Sequence, residues 1–468
     1  MPPALLQRLP NLFFDPMRWR YFVLPLICCI PIALGVGVWT TRFEPTPVRS
    51  SVPRETNERV TALSTTSFAI ALAPHQGNDK IDTYIQQLQK EAGLDPERSD
   101  TMKRLGWAFV TKARLSFDPG YYKLGEQCAL CVQSKSRDDP DALLLQGHIL
   151  QSLHKFKEAE PLARKLATIR HQAFDYGLLG DVLMEEGRLT EAVAAYQRMI
   201  DLKPDLESYT RIAHLRWLKG DLQGAIEVLR IAITSGNPGD AEQTAWAYTR
   251  LGIYELQAGD TERAAEAALT AFQFVENYPA ALLLRGRILL AQGKVREAIE
   301  SLQQAAALTR LPEYEWTLAD ALRETTNTPA AEEVEVKLRR SGALDDPRTY
   351  ALYLATRQHE VQEALALAQS ELNTRADVFT TDALAWALRA NGRISEAREY
   401  SKKALSEGTQ DARLFYHAGC IALAAGQDAE AEAAFQHSKQ MKQMLMPSER
   451  DDLEKEYNFL HQREISRL

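Results

Sequence analysis

The chain has 468 residues, 45% of them apolar, which is ordinary for a soluble protein and enough for several compact domains or one long solenoid. Its 55 lysines and arginines against 63 aspartates and glutamates leave a formal net charge of −8. That balance, with no concentrated basic stripe, excludes the electrostatic footprint of a nucleic-acid-binding protein.

Residues 1–18 read as a cytoplasmic tail before WRYFVLPLICCIPIALGVGVW (19–39), which carries a single charge, Arg20, at its edge. As a helix this run spans roughly 31 Å, about the thickness of a bilayer's hydrocarbon core. Trp19, Tyr21 and Trp39 stand where interfacial aromatics belong, and Pro25 and Pro31 are tolerated in a membrane helix. The expectation is a transmembrane signal anchor. Three arginines flank each end (Arg8, Arg18 and Arg20 before, Arg42, Arg49 and Arg54 after), so charge leaves the orientation open. A short tail and one span favour a body outside the cytoplasm, at a bacterial inner membrane. The alternative is a signal peptide cleaved near Gly35 and Gly37, which would release the body as a secreted or periplasmic protein.

Residues 40–78 are rich in Ser, Thr and Pro and read as a flexible linker. In DKIDTYIQQLQKEAG (79–93), Ile81, Tyr84, Ile85 and Leu88 recur at helical spacing, so residues 79–104 are expected to be N-terminal capping helices.

From there a repeat takes over. GRLTEA (187–192) returns as GDLQGA (220–225), GDTERA (259–264), GKVREA (293–298), GRISEA (392–397) and GQDAEA (426–431). The closing alanines have equivalents at Ala159, Ala331 and Ala364, and the nine successive positions lie 33, 33, 39, 34, 33, 33, 33 and 34 residues apart. The long step contains SGNPGD (235–240), a turn-forming insertion. Twelve residues before each alanine stands a nearly always small residue, from Gly147 and Gly180 to Gly419, where two helices must cross closely. The turn glycine ends the first helix in the left-handed conformation, and His154, Thr326 and His359 replace it in three units. A single amphipathic hairpin cannot bury both faces, so the units must stack.

LLGDVLMEEGRLTEAVAAYQRMIDLKP (178–204) resembles the tetratricopeptide repeat family in its leucine-glycine, aromatic, alanine and closing-proline pattern. The resemblance is to membrane-anchored bacterial proteins of that kind. It implies an all-α, right-handed superhelical solenoid over 105–440, with nine clear repeats after a degenerate one (105–133). A charged amphipathic stretch (441–468) is expected to be the C-terminal capping helix.

Catalytic groupings are not found. Nine scattered histidines form no metalloprotease or triad pattern, and no glycine-rich phosphate loop occurs, so the chain is expected to be neither an enzyme nor a cofactor protein. CALC (128–131) offers Cys128 and Cys131 as a candidate disulfide or, with His148 and His154, as a weak zinc pattern, although ordinary helix packing is the commoner reading.

If the resemblance holds, the first helix of each unit lines a concave groove. The column eleven before the marker alanine places Asp181, His214, Arg287, Asp320, Tyr353 and Trp386 there, and the column eight before it places Met184, Trp217, Arg323 and Arg389, with Trp316 one turn from Asp320. Arginines among aromatics are the composition of protein-binding hot spots. The expected function is a non-catalytic scaffold binding a protein or extended peptide at the membrane surface. The alternatives are a thiol-dependent or metal-binding maturation factor using Cys128 and Cys131, or an accessory subunit of a cell-surface glycan enzyme.

Overall fold

The computed structural model of the protein describes residues 66–116, 118–235 and 241–467, which belong to one compact unit. The tail and the expected span (19–39) lie outside the described residues, and among those described no helix is long and apolar enough to cross a membrane. The described residues are helical throughout, with no strand among them.

Three helices open the body: α1 (Lys80–Leu94), α2 (Ser99–Ser116) and α3 (Gly120–Lys135). They share a core of Ile85, Leu88, Leu105, Phe109, Cys128 and Val132. The degenerate unit therefore begins at Ser99, six residues before the position expected, and within 79–104 only α1 is left to cap it. Residues 66–78, expected to be the end of a flexible linker, are folded onto this core. Residues 66–71 are helical with Ala71 fully buried, and the Gln89 amide donates to the Ala71 and Ala73 carbonyls at 3.0 and 2.7 Å. The low-complexity composition gave no sign of these long-range contacts.

Nine hairpins follow: α4 (Pro140–Ser152) with α5 (Phe156–Ile169), α6 (Ala173–Glu185) with α7 (Leu189–Leu202), and α8 (Leu206–Leu218) with α9 (Leu222–Ser235). Next come α10 (Ala241–Gln257) with α11 (Thr261–Phe274), α12 (Pro279–Ala291) with α13 (Val295–Leu308), and α14 (Pro312–Glu324) with α15 (Thr328–Asp345). The last are α16 (Pro347–Thr356) with α17 (Val361–Thr374), α18 (Val378–Ala390) with α19 (Ile394–Leu405), and α20 (Ala412–Ala424) with α21 (Asp428–Gln440). A 3-10 turn (Lys442–Met444) leads to the closing helix α22 (Pro447–Arg467). Proline in the first turn of α4, α12, α14 and α16, and aspartate caps at Asp205, Asp377 and Asp411, start helices where the chain leaves the preceding hairpin.

All nine marker alanines have zero exposure, which assigns the repeated motif to architecture. The small residue twelve positions earlier receives a bulky one from the second helix. A Cβ on Gly180 would sit 2.3 Å from the Tyr196 ring, and one on Gly419 would sit 2.3 Å from that of Phe435. Where the turn glycine is missing, His154 (φ 57°) and Thr326 (φ 61°) still adopt the left-handed conformation. At the third exception the distortion moves to the neighbours Gln358 and Glu360, and α16 is only ten residues long.

The solenoid curls until units far apart in sequence meet. The Ala376 amide donates to the Glu185 carbonyl at 3.0 Å, the Thr409 hydroxyl to the Leu218 carbonyl at 2.6 Å, and the Trp217 indole to the Gln410 carbonyl at 3.1 Å. Lys219 pairs with Glu407 at 2.6 Å. These contacts clasp the α6–α7 and α8–α9 turns to the loops entering α18 and α20, and they close a ring around a central bore.

Candidate binding cavity

The first helices of eight consecutive hairpins contribute to one cavity of about 450 Å³ in that bore. Met184 enters from α6, His214 and Trp217 from α8, Arg250 from α10, Arg287 from α12, Trp316 from α14, Arg348 from α16, Phe379 from α18 and Arg413 from α20. The volume lies in the range of ligand pockets. The walls are charged and aromatic, in contrast to the aliphatic interior between the helices.

Of the residues expected in the groove, Met184, His214, Trp217, Arg287 and Trp316 face this cavity. Trp217 is 5% exposed and stacked on Phe379. His214 accepts from or donates to the Tyr254 hydroxyl at 3.1 Å, and burial with Arg250 nearby holds its imidazole neutral, pulled down to about 3. Arg287 pairs with Glu313 at 2.6 Å.

The other expected residues are placed differently. Asp181 is clamped by Arg211 and the Tyr196 hydroxyl at 2.7 and 2.8 Å. Asp320, 1% exposed, accepts from Arg357 and from the Ser448 amide, both at 2.9 Å. Arg323 pairs with buried Glu335, and Tyr353 is core. Trp386 and Arg389 line a second cavity, of about 420 Å³, beside α22, where Arg389 lies over the Trp386 ring at 4.6 Å and faces Glu456. Trp386 is 3% exposed, with its indole donating to Thr356 and its face stacked on His417. The inner face is therefore engaged by the chain itself over α14, α18 and α22.

Sequence reasoning missed Arg250, Arg348, Arg375, Arg413 and Glu185. Arg250 and Arg413 stand fourteen and eighteen residues before their marker alanines, one and two turns above the column that was read, so the helical period could have found them. Arg375 lies in an interhairpin loop, and only tertiary structure brings it in. It is 6% exposed and gathers Glu371, Asp346, Asp377 and Glu185 within 3.1 to 4.0 Å.

Glu185 sits at the clasp. Burial, and then Asp377 beside it, push its carboxyl up to about 7 against the pull of Arg348 and Arg375. A folded-state value above the unfolded one means that the native state holds the proton more tightly, so stability is lost as pH rises from about 4.5 to about 7. With 27% of the side chain still exposed, the loss is about 1–2 kcal/mol. Chemical denaturation at pH 5 and pH 8 should show this fall in the native protein and a smaller one in Glu185→Gln. Equal falls in both would remove Glu185 as its source.

Cys128 and Cys131, the candidate disulfide, are free thiols buried in the N-terminal core. Burial raises both, which leaves packed thiols and no ready nucleophile. His148 packs on Trp107, and among the described residues no three His, Cys, Asp or Glu side chains converge on a metal position. The thiol or metal reading has no geometric support.

Residues 144–207, 178–241, 249–315 and 283–346 match the tetratricopeptide repeat family profile. The hairpins over 144–241 and 249–346 are tetratricopeptide repeats. The α4–α15 segment carries the match, and the hairpins from α16 to α21 continue the same spacing and packing. No curated protein matches the chain. Among solved structures, the human IFIT1 dimer with PPP-AAAA is similar at 12% identity, over 84% of this chain and 96% of that one, with a TM-score of 0.43. Yeast Tom70 is similar at 14% identity over 88% and 97%, with a TM-score of 0.34. Pseudomonas aeruginosa pilF is similar at 16% identity over 46% and 97%, with a TM-score of 0.37. Likenesses at this level carry no argument about what this solenoid binds.

Proposed function

We propose that the protein is a non-catalytic tetratricopeptide scaffold that binds a protein or extended peptide partner on the inner face of its solenoid, at a membrane to which residues 19–39 anchor it. The observation that carries this reading is the convergence of eight first helices, with arginines and aromatic rings, on one cavity. The family whose profile matches supports it, being generally one of scaffolds and not of enzymes. The uninterrupted apolar run WRYFVLPLICCIPIALGVGVW supports the anchor, which would confine the body to a surface and raise its effective concentration toward membrane neighbours.

Site-specific photocrosslinking in native cells tests the scaffold. A crosslinker at Phe379, which lines the bore, is expected to capture a defined protein, whereas one at Leu269, which is 59% exposed on a second helix, is not. Capture from Leu269 alone would move binding to the outer face. Extraction of the protein from membranes by alkaline carbonate would remove the anchor.

A further inference from the structure

The ring closes across a seam whose charges do not balance. Where the α6–α7 turn meets the loop entering α18, Glu371, Asp346, Asp377 and Glu185 lie 3.1, 3.6, 3.9 and 4.0 Å from the Arg375 guanidinium, and Asp377 lies 3.3 Å from Arg348. Four carboxylates thus share two arginines. Three of the four stand on the arginines' own side of the seam and have hydrogen bonds of their own. Asp346 accepts from the Thr349 amide and hydroxyl, Asp377 from the Thr380 amide and hydroxyl, and Glu371 from Arg375.

Glu185 alone comes from the other side, and its carboxylate accepts no hydrogen bond among the described residues. Its backbone carbonyl is nevertheless a clasp contact, taking the Ala376 amide at 3.0 Å. The other charged groups around it are engaged or neutral. Asp181, one turn back on α6, is held by Arg211 of α8, and Glu186 pairs with Arg188 at 3.1 Å. His154, from the α4–α5 turn, is pulled down to about 4 by burial and by Arg375, so its imidazole carries no charge that could offset a carboxylate.

We propose that Glu185 is a pH-sensitive latch on the ring: while its carboxyl keeps a proton the seam stays closed, and once the proton is lost the fourth negative charge drives the α6–α7 turn away from the Arg375–Asp377 loop. The opposing side already has one carboxylate more than it has arginines, so a charged Glu185 is relieved only by water. Burial, and then Asp377, hold the closed-state carboxyl at about 7, whereas an open seam returns it toward its ordinary 4.5. The closed form binds the proton more tightly, so closure is favoured at mildly acidic pH and lost as pH rises between those values. The second clasp contact rests on the Thr409 hydroxyl and the Trp217 indole, donors that keep their protons over this range, and it serves as the hinge. Glu185, Gly187, Arg348, Arg375 and Asp377 also line the central cavity, so the latch sets the width of the bore on that side. This inference goes beyond the scaffold reading and needs no ligand.

The test is hydrogen exchange of the full-length chain in detergent between pH 5 and pH 8, with rates corrected for the intrinsic pH dependence of amide exchange. Protection of the Ala376 amide, which donates across the seam, is expected to fall by about tenfold over this range, the screened equivalent of the raised carboxyl. Amides of α11, which lines neither the seam nor the cavity, are expected to keep theirs. Glu185→Gln is neutral at every pH and should hold Ala376 protected throughout. Asp377→Asn, which keeps an acceptor for the Thr380 amide but removes the neighbouring charge, should move the fall to lower pH. Circular dichroism melts at pH 6 check that both variants are folded. Constant protection in the native chain would overturn the proposal, as would an equal fall in Glu185→Gln or an unshifted one in Asp377→Asn. A parallel fall at α11 would also overturn it, because the whole solenoid and not the latch would then be responding to pH.

Discussion

Alanine at both Gly187 and Gly220 is expected to open the ring, whereas alanine at both Gly293 and Gly392 is expected only to strain it. All four glycines hold the same left-handed turn, with φ of 73°, 83°, 74° and 72°. A side chain there costs on the order of 1 kcal/mol per site in either pair. The pairs differ in what stands opposite. A Cβ on Gly187 would lie 2.4 Å from the Ala376 carbonyl oxygen and one on Gly220 2.5 Å from that of Gly408, while Gly293 and Gly392 meet nothing within 4 Å. Both contacts are with backbone that cannot rotate aside, so the clasp must separate. Its hydrogen bonds at Glu185, Leu218 and Trp217 would go with it. Small-angle scattering should show a larger radius of gyration for the first pair alone, and hydrogen exchange should show lost protection at Ala376. Equal melting temperatures and equal radii for the two pairs would mean that the turns touch without holding the ring closed.

The second large effect is expected at Glu449. Its carboxylate has zero side-chain exposure and accepts from Arg413 at 2.7 Å and from the Met446 amide at 2.9 Å. Burial pushes this carboxyl up, and Arg413 more than offsets the push, holding it below its ordinary value. Glu449→Ala would leave Arg413, 23% exposed above the Trp316 ring, as an unpaired cation inside the fold. The expected cost is about 3 kcal/mol, felt as a lower denaturation midpoint. The loss should concentrate where the C-terminal segment binds the inner face: Gln443 to the Leu256 and Gln257 carbonyls, Ser448 to Asp320, and Arg450 to the Leu290 carbonyl. Arg413→Met with Glu449→Leu should recover much of the loss, because an apolar pair needs no charge compensation. A variant as stable as the native protein would show that α22 is held by its buried Leu453 and Leu460 alone.

These two expectations mark where sequence reading stopped. The repeat spacing was legible because every hairpin repeats a local requirement: a tight turn, and a small residue where two helices cross. Nine alanines with zero exposure and nine hairpins at the expected places follow from it. The groove was legible only in part. Met184, His214, Trp217, Arg287 and Trp316 reach the bore, while Asp181, Asp320 and Arg323 meet partners on other elements. A column rule predicts which way a side chain points from its own helix; it carries no information about what arrives from elsewhere. Ser448, which donates its amide to Asp320, lies 128 residues downstream.

The sequence by itself determined the fold class, the number and register of the repeats and the role of the glycine-to-alanine motif, since all three depend on contacts within a hairpin or between neighbours. Tertiary structure alone decided that the solenoid closes on itself, that α22 and the segment before it lie along the inner face, and that Arg250, Arg348 and Arg413 share one cavity. The physical reason is that curvature accumulates from small rotations at each interface. No single unit encodes the angle at which Gly187 comes to face Ala376.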